Sequence, residues 1–192
     1  MADTIDEAAQ ALRGFLLALG LPLDTDPELS DTPARVARAW RDELLDGYRR
    51  SPAEVLAEAL PSAEQSTVVL TGVTFTTMCP HHLLPCAGTA HVGYLPGGRI
   101  VGLGALVQLV ECFAHRLVLQ ETLGRQVVEA LVEHLGARAA GVVLEGRHAC
   151  LSQRGERQAA ATVVTHSFAG RWADDVAARR EFLDAVQSGA KR

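Results

Sequence analysis

The sequence predicts an α+β protein, an antiparallel sheet with helices on one face, preceded by an N-terminal helical segment. Three observations carry this expectation. Apolar residues recur at helical spacing through the first 47 residues, β-branched and aromatic runs come in two pairs at 67–100 and 139–170, and residues 105–136 between the pairs return to a helical period. Strands segregated from helices in this way assemble as an antiparallel sheet with a helical layer, in the order ββααββ. Pro52, Pro61 and the small polar cluster at 62–66 read as the connection, which divides the chain into a helical segment, 1–60, and a main body, 61–192.

The elements follow in order. "IDEAAQALRGFLLALG" is a helix stopped by Gly20. In "LSDTPARVARAWRDELLDGY", Ser30 or Asp31 is the N-cap, Pro33 sits in the first turn, and Val36, Trp40 and Leu44 form the apolar stripe ahead of Gly47. "TVVLTGVTFTTM" and "GTAHVGYL" read as antiparallel strands, and "PGG" at 96–98 turns the chain into "RIVGL". Leu106, Leu109, Val110, Phe113 and Leu117 make one helical stripe. Leu123, Val127, Val128, Leu131, Val132 and Leu135 make a second, ending at Gly136. "AAGVVLEGRHACLS" and "AAATVVTHSFAG" are strands, and "DDVAARREFLDAVQSG" closes with a short helix.

At 192 residues and 48% hydrophobic, the chain can bury a real core. A net charge of -5 gives no basic footprint for nucleic acid or an anionic membrane, so any anion must be held by local arginines. No signal-like start or transmembrane-length apolar run is present, which leads to the expectation of a cytoplasmic protein. In a reducing compartment the four cysteines are free for metal or catalysis rather than tied in disulfides.

"TTMCPHHLLPCAG" concentrates that chemistry. Cys79 and His82 are two residues apart, and Pro80 favours a turn that swings both side chains to one side. Thiolate and imidazole are preferred zinc ligands, and Cys150 in "RHACLSQRG" is the best third donor. Three protein ligands leave one tetrahedral position for water, the arrangement of a catalytic zinc. His81 and His148, left over after ligation, suit proton transfer near neutral pH. On spacing alone the bland alternative stands beside this one, because a short C-x-x-H arises by chance and cysteines are commonly buried. Cys86 and Cys112 read as small core hydrophobes, and His91, His115, His134 and His166 as histidines without a site role.

The ordered set "DTPARVARAW", "MCPHHLLP", "VGYLP", "IVGL", "HRLVLQE" and "HACLSQRG" closely resembles GTP cyclohydrolase I, over about Asp31 to Phe182. The resemblance implies the tunnelling fold and a homo-oligomeric ring, typically a decamer, with active sites at subunit interfaces. It implies Zn2+ on Cys79, His82 and Cys150, with His81 and His148 as catalytic histidines. The reaction implied is attack of zinc-activated water on C8 of GTP, imidazole ring opening, loss of formate and closure to 7,8-dihydroneopterin triphosphate. Gln120 and Glu121 match the pair whose glutamate receives the guanine edge, a role suited to a carboxylate accepting two donors. Arg154 matches a triphosphate contact. Arg35 and Arg38 match basic residues that reach a phosphate from a neighbouring subunit.

Three positions depart from the family pattern. Where it has serine, lysine and, three residues on, arginine, this chain has Gly104, Ala105 and Gln108. Two lost charge-assisted hydrogen bonds are worth ~3–6 kcal/mol, on the order of 10² to 10⁴-fold in phosphate affinity. Pro80 also stands where the family often has glutamate. The departures leave two further readings beside the ordinary enzyme: a divergent member acting on a purine with fewer or no phosphates, and a non-catalytic subunit in which zinc only ties Cys150 to the 79–82 turn.

Overall fold

The computed structural model describes residues 2–189; residue 1 and residues 190–192, at the outer ends of the two expected segments, lie outside the described residues. The chain divides into two compact units after Asp46. In the first, α1 (Ala2–Ala18) packs with α2 (Thr32–Ala39), which continues as a wider π-helical turn through Trp40–Leu44. Asp31 is the N-cap residue but its side chain makes no cap bond, so Pro33, with its fixed φ and missing N–H, is what favours this helix start. Leu23 and Ala37 are buried in this unit, and Arg13 pairs with Asp24 across the α1–α2 connection.

A 3₁₀ turn at Asp46–Arg49 spans the division, and the second unit goes on to the one-turn helix α3 (Pro52–Val55), whose N-cap Ser51 accepts from the Glu54 amide. It continues through β1 (Leu60–Pro61), β2 (Val68–Met78), β3 (Pro85–Leu95), β4 (Arg99–Ile100), α4 (Leu103–Ala114) and α5 (Gln120–Ala130). After α5, a π-helical turn (Leu131–Leu135) ends at Gly136, whose φ of 76° is the left-handed C-cap that glycine favours. Then come β5 (Ala139–His148), the single turn α6 (Ala149–Ser152), β6 (Val163–Gly170), α7 (Arg171–Asp174) and α8 (Arg180–Gly189). The expected closing helix begins later than its sequence suggests. Asp175 instead caps a turn by accepting from the Ala178 amide, and α8 starts beyond it.

The main sheet is antiparallel throughout, in the order β2-β3-β5-β6, so the ββααββ expectation is met. "RIVGL" does not extend the sheet: Arg99 and Ile100 pair with Pro61 and Leu60, and the Tyr94 hydroxyl accepts from the Val101 amide just before α4. Cross-strand partners share a face, and the sheet sorts its residues accordingly. Ala90, Val92 and Tyr94 with Leu144, Val142 and Ala140 meet the apolar stripes of α4 and α5 in the principal core.

The C-terminal helices add a smaller layer against the opposite face. Phe182 is fully buried there, stacked on Trp172 at 5.4 Å and edge-on to Phe168 at 6.1 Å. A Cβ at the paired Gly93 or Gly141 would lie 2.6 or 3.0 Å from the Phe182 ring, so the ring seats where two strands lack side chains. Phe182→Ala should cost about 3–5 kcal/mol through lost burial and a residual cavity, read as a lowered urea midpoint with an unchanged m-value.

Candidate metal centre and its surroundings

Met78 and Pro85 form the last pair of the β2–β3 ladder, leaving residues 79–84 to turn the chain. The Cys79 amide donates to Leu84 O and the Leu83 amide to Cys79 O, each at 2.9 Å. Leu83 takes a left-handed φ of 54°, which closes this tight turn at some strain for a branched side chain. The result is local convergence: His82 Nδ1 lies 3.9 Å from Cys79 Sγ, while His81 remains exposed with its ring edge-on to that of His82.

The third donor comes from the neighbouring strand. β3 pairs Cys86 with His148, so the end of β5 lies beside the start of β3, and the helical turn after it carries Cys150. One donor atom from each of Cys79, His82 and Cys150 lies within 4.8 Å of the others. It is the one such His, Cys, Asp and Glu grouping of three or more among the described residues. Two sulfurs and an imidazole nitrogen are the donor set of a borderline-soft divalent ion such as zinc. Burial, and then the neighbouring Cys79, push the Cys150 thiol above its ordinary range. Burial, with smaller contributions from Cys150 and Cys79, pushes Cys86 up to about 11, keeping it a neutral thiol beside the cluster.

Gln120 opens α5 and is buried, at 2% exposure. Its side chain, expected to touch substrate, is turned into the protein: Nε2 donates to Leu144 O, Val163 O and Thr165 Oγ1 at 3.0–3.1 Å. Its Oε1 lies 3.0 Å from His148 Nε2. The next residue, Glu121, is exposed in the same first turn. Arg154, exposed, holds Nη1 3.1 Å from His82 Nε2, so it stands at the edge of the metal cluster. Arg116 cannot supply charge to a ligand cheaply. It lies over the Phe113 and Tyr48 rings, donates from Nε to Gly47 O and contacts Cys112 Sγ. Arg35 and Arg38 are exposed on α2 of the first unit, Arg35 3.5 Å from Asp31.

Gly104, Ala105 and Gln108 line a cavity of about 700 Å³ with Glu54 and Glu58. Gln108 also lines an adjoining cavity of about 480 Å³ that holds Arg49 and Arg50, the latter 3.0 Å from Glu111. Sequence reasoning passed over two residues of the His148 environment, Cys86 and Gly146. The available signal was Gly146, a glycine inside a strand two residues before a histidine, a mark of close approach by another group.

An α+β unit that gathers a Cys–His–Cys cluster beside a histidine paired with a buried glutamine defines a candidate metalloenzyme. The sequence model described as GTP cyclohydrolase I matches residues 8–187, and the chain belongs to that family. GTP cyclohydrolase 1 of Chromobacterium violaceum is 37% identical over 178 residues, covering 93% of this chain and 86% of the relative. That of Campylobacter lari is 40% identical, covering 83% and 84%, and that of Mycobacterium ulcerans is 40% identical, covering 93% and 89%. The chain is accordingly an enzyme of the hydrolase class.

Because thiols must lose protons to ligate, zinc affinity should rise steeply between about pH 6 and 8, with proton release on binding. Competition titration with a chromophoric chelator checks this. Cys150→Ser should lose tight zinc binding; a variant that stays loaded would remove Cys150 from the ligand set.

Proposed function

We propose that the protein is a zinc-dependent GTP cyclohydrolase I, opening the purine imidazole ring of GTP, releasing formate and yielding 7,8-dihydroneopterin triphosphate. The observation that carries this reading is the convergence of Cys79, His82 and Cys150 next to His148. When bound there, zinc supplies an activated water for attack at C8. His148, oriented by Gln120, and His81, exposed on the turn, are the groups that exchange protons with the opening ring. Glu121, exposed in the first turn of α5, accepts the guanine N–H donors.

Arg154, beside His82, is the cation best placed to meet the triphosphate, with Arg35 and Arg38 brought by a neighbouring subunit. Assembly of this kind, as a homo-oligomeric ring, is supported by β2 and β6, which each have only one strand partner among the described residues. No helix among the described residues is long and apolar enough to cross a membrane.

One observation favours a second reading, in which the substrate carries fewer or no phosphates. The cavity lined by Gly104, Ala105 and Gln108 contains Glu54 and Glu58 and, among the described residues, no lysine or arginine, while Arg49 and Arg50 line the adjoining one, so the cavity itself offers a polyanion no cation. Formate release by the zinc-loaded protein, compared for GTP, guanosine and guanine with pterin fluorescence in parallel, separates the two. Formate and pterin from GTP alone establish the first reading; formate only from guanosine or guanine establishes the second; no formate from any of them leaves the non-catalytic subunit. Glu121→Gln should abolish the preference for guanine over adenine nucleotides, measured as relative kcat/KM.

A further inference from the structure

We infer that Gln120 is a positioning residue that holds His148 in the tautomer protonated on Nε2, leaving Nδ1 as the nitrogen that meets the substrate. The inference rests on the reading of His148 as a proton-transfer group and adds how that group is set. The orientation of the Gln120 amide is decided by its neighbours. Its Nε2 faces two backbone carbonyls, Leu144 O at 3.1 Å and Val163 O at 3.0 Å, which only accept, and Thr165 Oγ1 at 3.1 Å. The NH₂ end must point there, and Oε1 therefore points the other way, to His148 Nε2 at 3.0 Å.

An amide oxygen cannot donate, so the hydrogen of this bond belongs to His148 Nε2, and in the neutral ring the lone pair is then on Nδ1. The arrangement is held by burial, since Gln120 is 2% exposed. It is held also by space, because the amide occupies volume left by the missing side chain of Gly146. A Cβ there would stand 2.3 Å from Gln120 Oε1 and 2.9 Å from Cys86 Sγ. Cys86, the cross-strand partner of His148, is the remaining neighbour of Oε1, at 4.0 Å. Leaving Oε1 unpaired in so buried a place would carry the desolvation penalty of a lone polar group, so the wrong tautomer is disfavoured from both ends.

The test is a long-range ¹H–¹⁵N correlation on the ¹⁵N-histidine-labelled full chain, metal-free and zinc-loaded, with His148 assigned by its absence from His148→Ala. The expected result is a pyrrole-type Nε2 and a pyridine-type Nδ1 at His148 in both forms. A protonated Nδ1 with a bare Nε2 in the wild-type protein overturns the inference without recourse to any variant. Gln120→Leu should retain zinc, turn the His148 signature into a mixture of tautomers and lower kcat by about 10²-fold or more with KM little changed.

Gly146→Ala, which displaces the same amide with Gln120 intact, should do likewise and serves if the Leu variant fails to fold. A rise in KM at constant kcat would instead make Gln120 a substrate contact. Unchanged tautomer and kcat in both variants would make it merely structural. Should His148→Ala keep full turnover, the role of His148 itself fails, a result distinguishable from a wrong tautomer.

Discussion

Ten cross-strand partners, from Cys86↔His148 to Leu95↔Ala139, lock β3 against β5, and the candidate site depends on that register. The two halves of the metal cluster are about seventy residues apart in sequence. They meet because the turn before β3 and the turn after β5 fall at the same end of this one ladder. A slip by a single residue would send His148 to the other face of the sheet and away from Gln120. Such a slip is opposed along the whole length, since Ala140, Val142 and Leu144 would leave the principal core together. The apolar core therefore sets the geometry of the polar groups at its edge.

The helical layer makes a second contribution through the distance at which α5 lies on the sheet. A Cβ at Gly124 would be 2.9 Å from Ser167 Oγ and 3.3 Å from a methyl of Val142, so a larger residue would hold the helix off. With the helix close, the first residue of α5 reaches the carbonyls of Leu144 and Val163 on two different strands. Gln120 is thus a tie between α5, β5 and β6 as well as a neighbour of His148. Its successor, Glu121, faces solvent from the same turn, so one helix start serves the interior with one side chain and the open surface with the next.

Legibility in the sequence tracked how local each interaction is. The C-x-x-H turn was readable because Pro80 and the two-residue spacing act within one loop, and Cys150 because a lone cysteine at a strand end is conspicuous. The two central helices were readable from their stripes, and Gly136 as their stop. The role of Gln120 was not, since it depends on carbonyls of β5 and β6 and on an empty position at Gly146, none of which has a sequence spacing to betray it. The charge of Arg116 is visible in the sequence, whereas its stacking on Tyr48 and Phe113 is not. The late start of α8 has the same origin: Asp175 offers a turn a cap that propensity alone assigns to a helix.

The cysteines show why a metal suits this end of the sheet. Burial disfavours charge on the Cys150 thiol, and the neighbouring Cys79 does the same to a smaller extent, so both effects favour the protonated form of Cys150. Cys86 adds a third thiol in the same neighbourhood, kept neutral chiefly by burial. A divalent cation reverses the sign of the thiol–thiol interaction, since two thiolates that repel each other both attract it. Binding would then join the 79–84 turn to the turn after β5, the two segments that the β3–β5 ladder brings together but does not itself hydrogen-bond. His148, the last residue of β5 and the cross-strand partner of Cys86, has its ring held by Gln120 at 3.0 Å. The candidate metal ligands and His148 are in this way oriented by independent contacts, the first by the turn and the second by the buried amide.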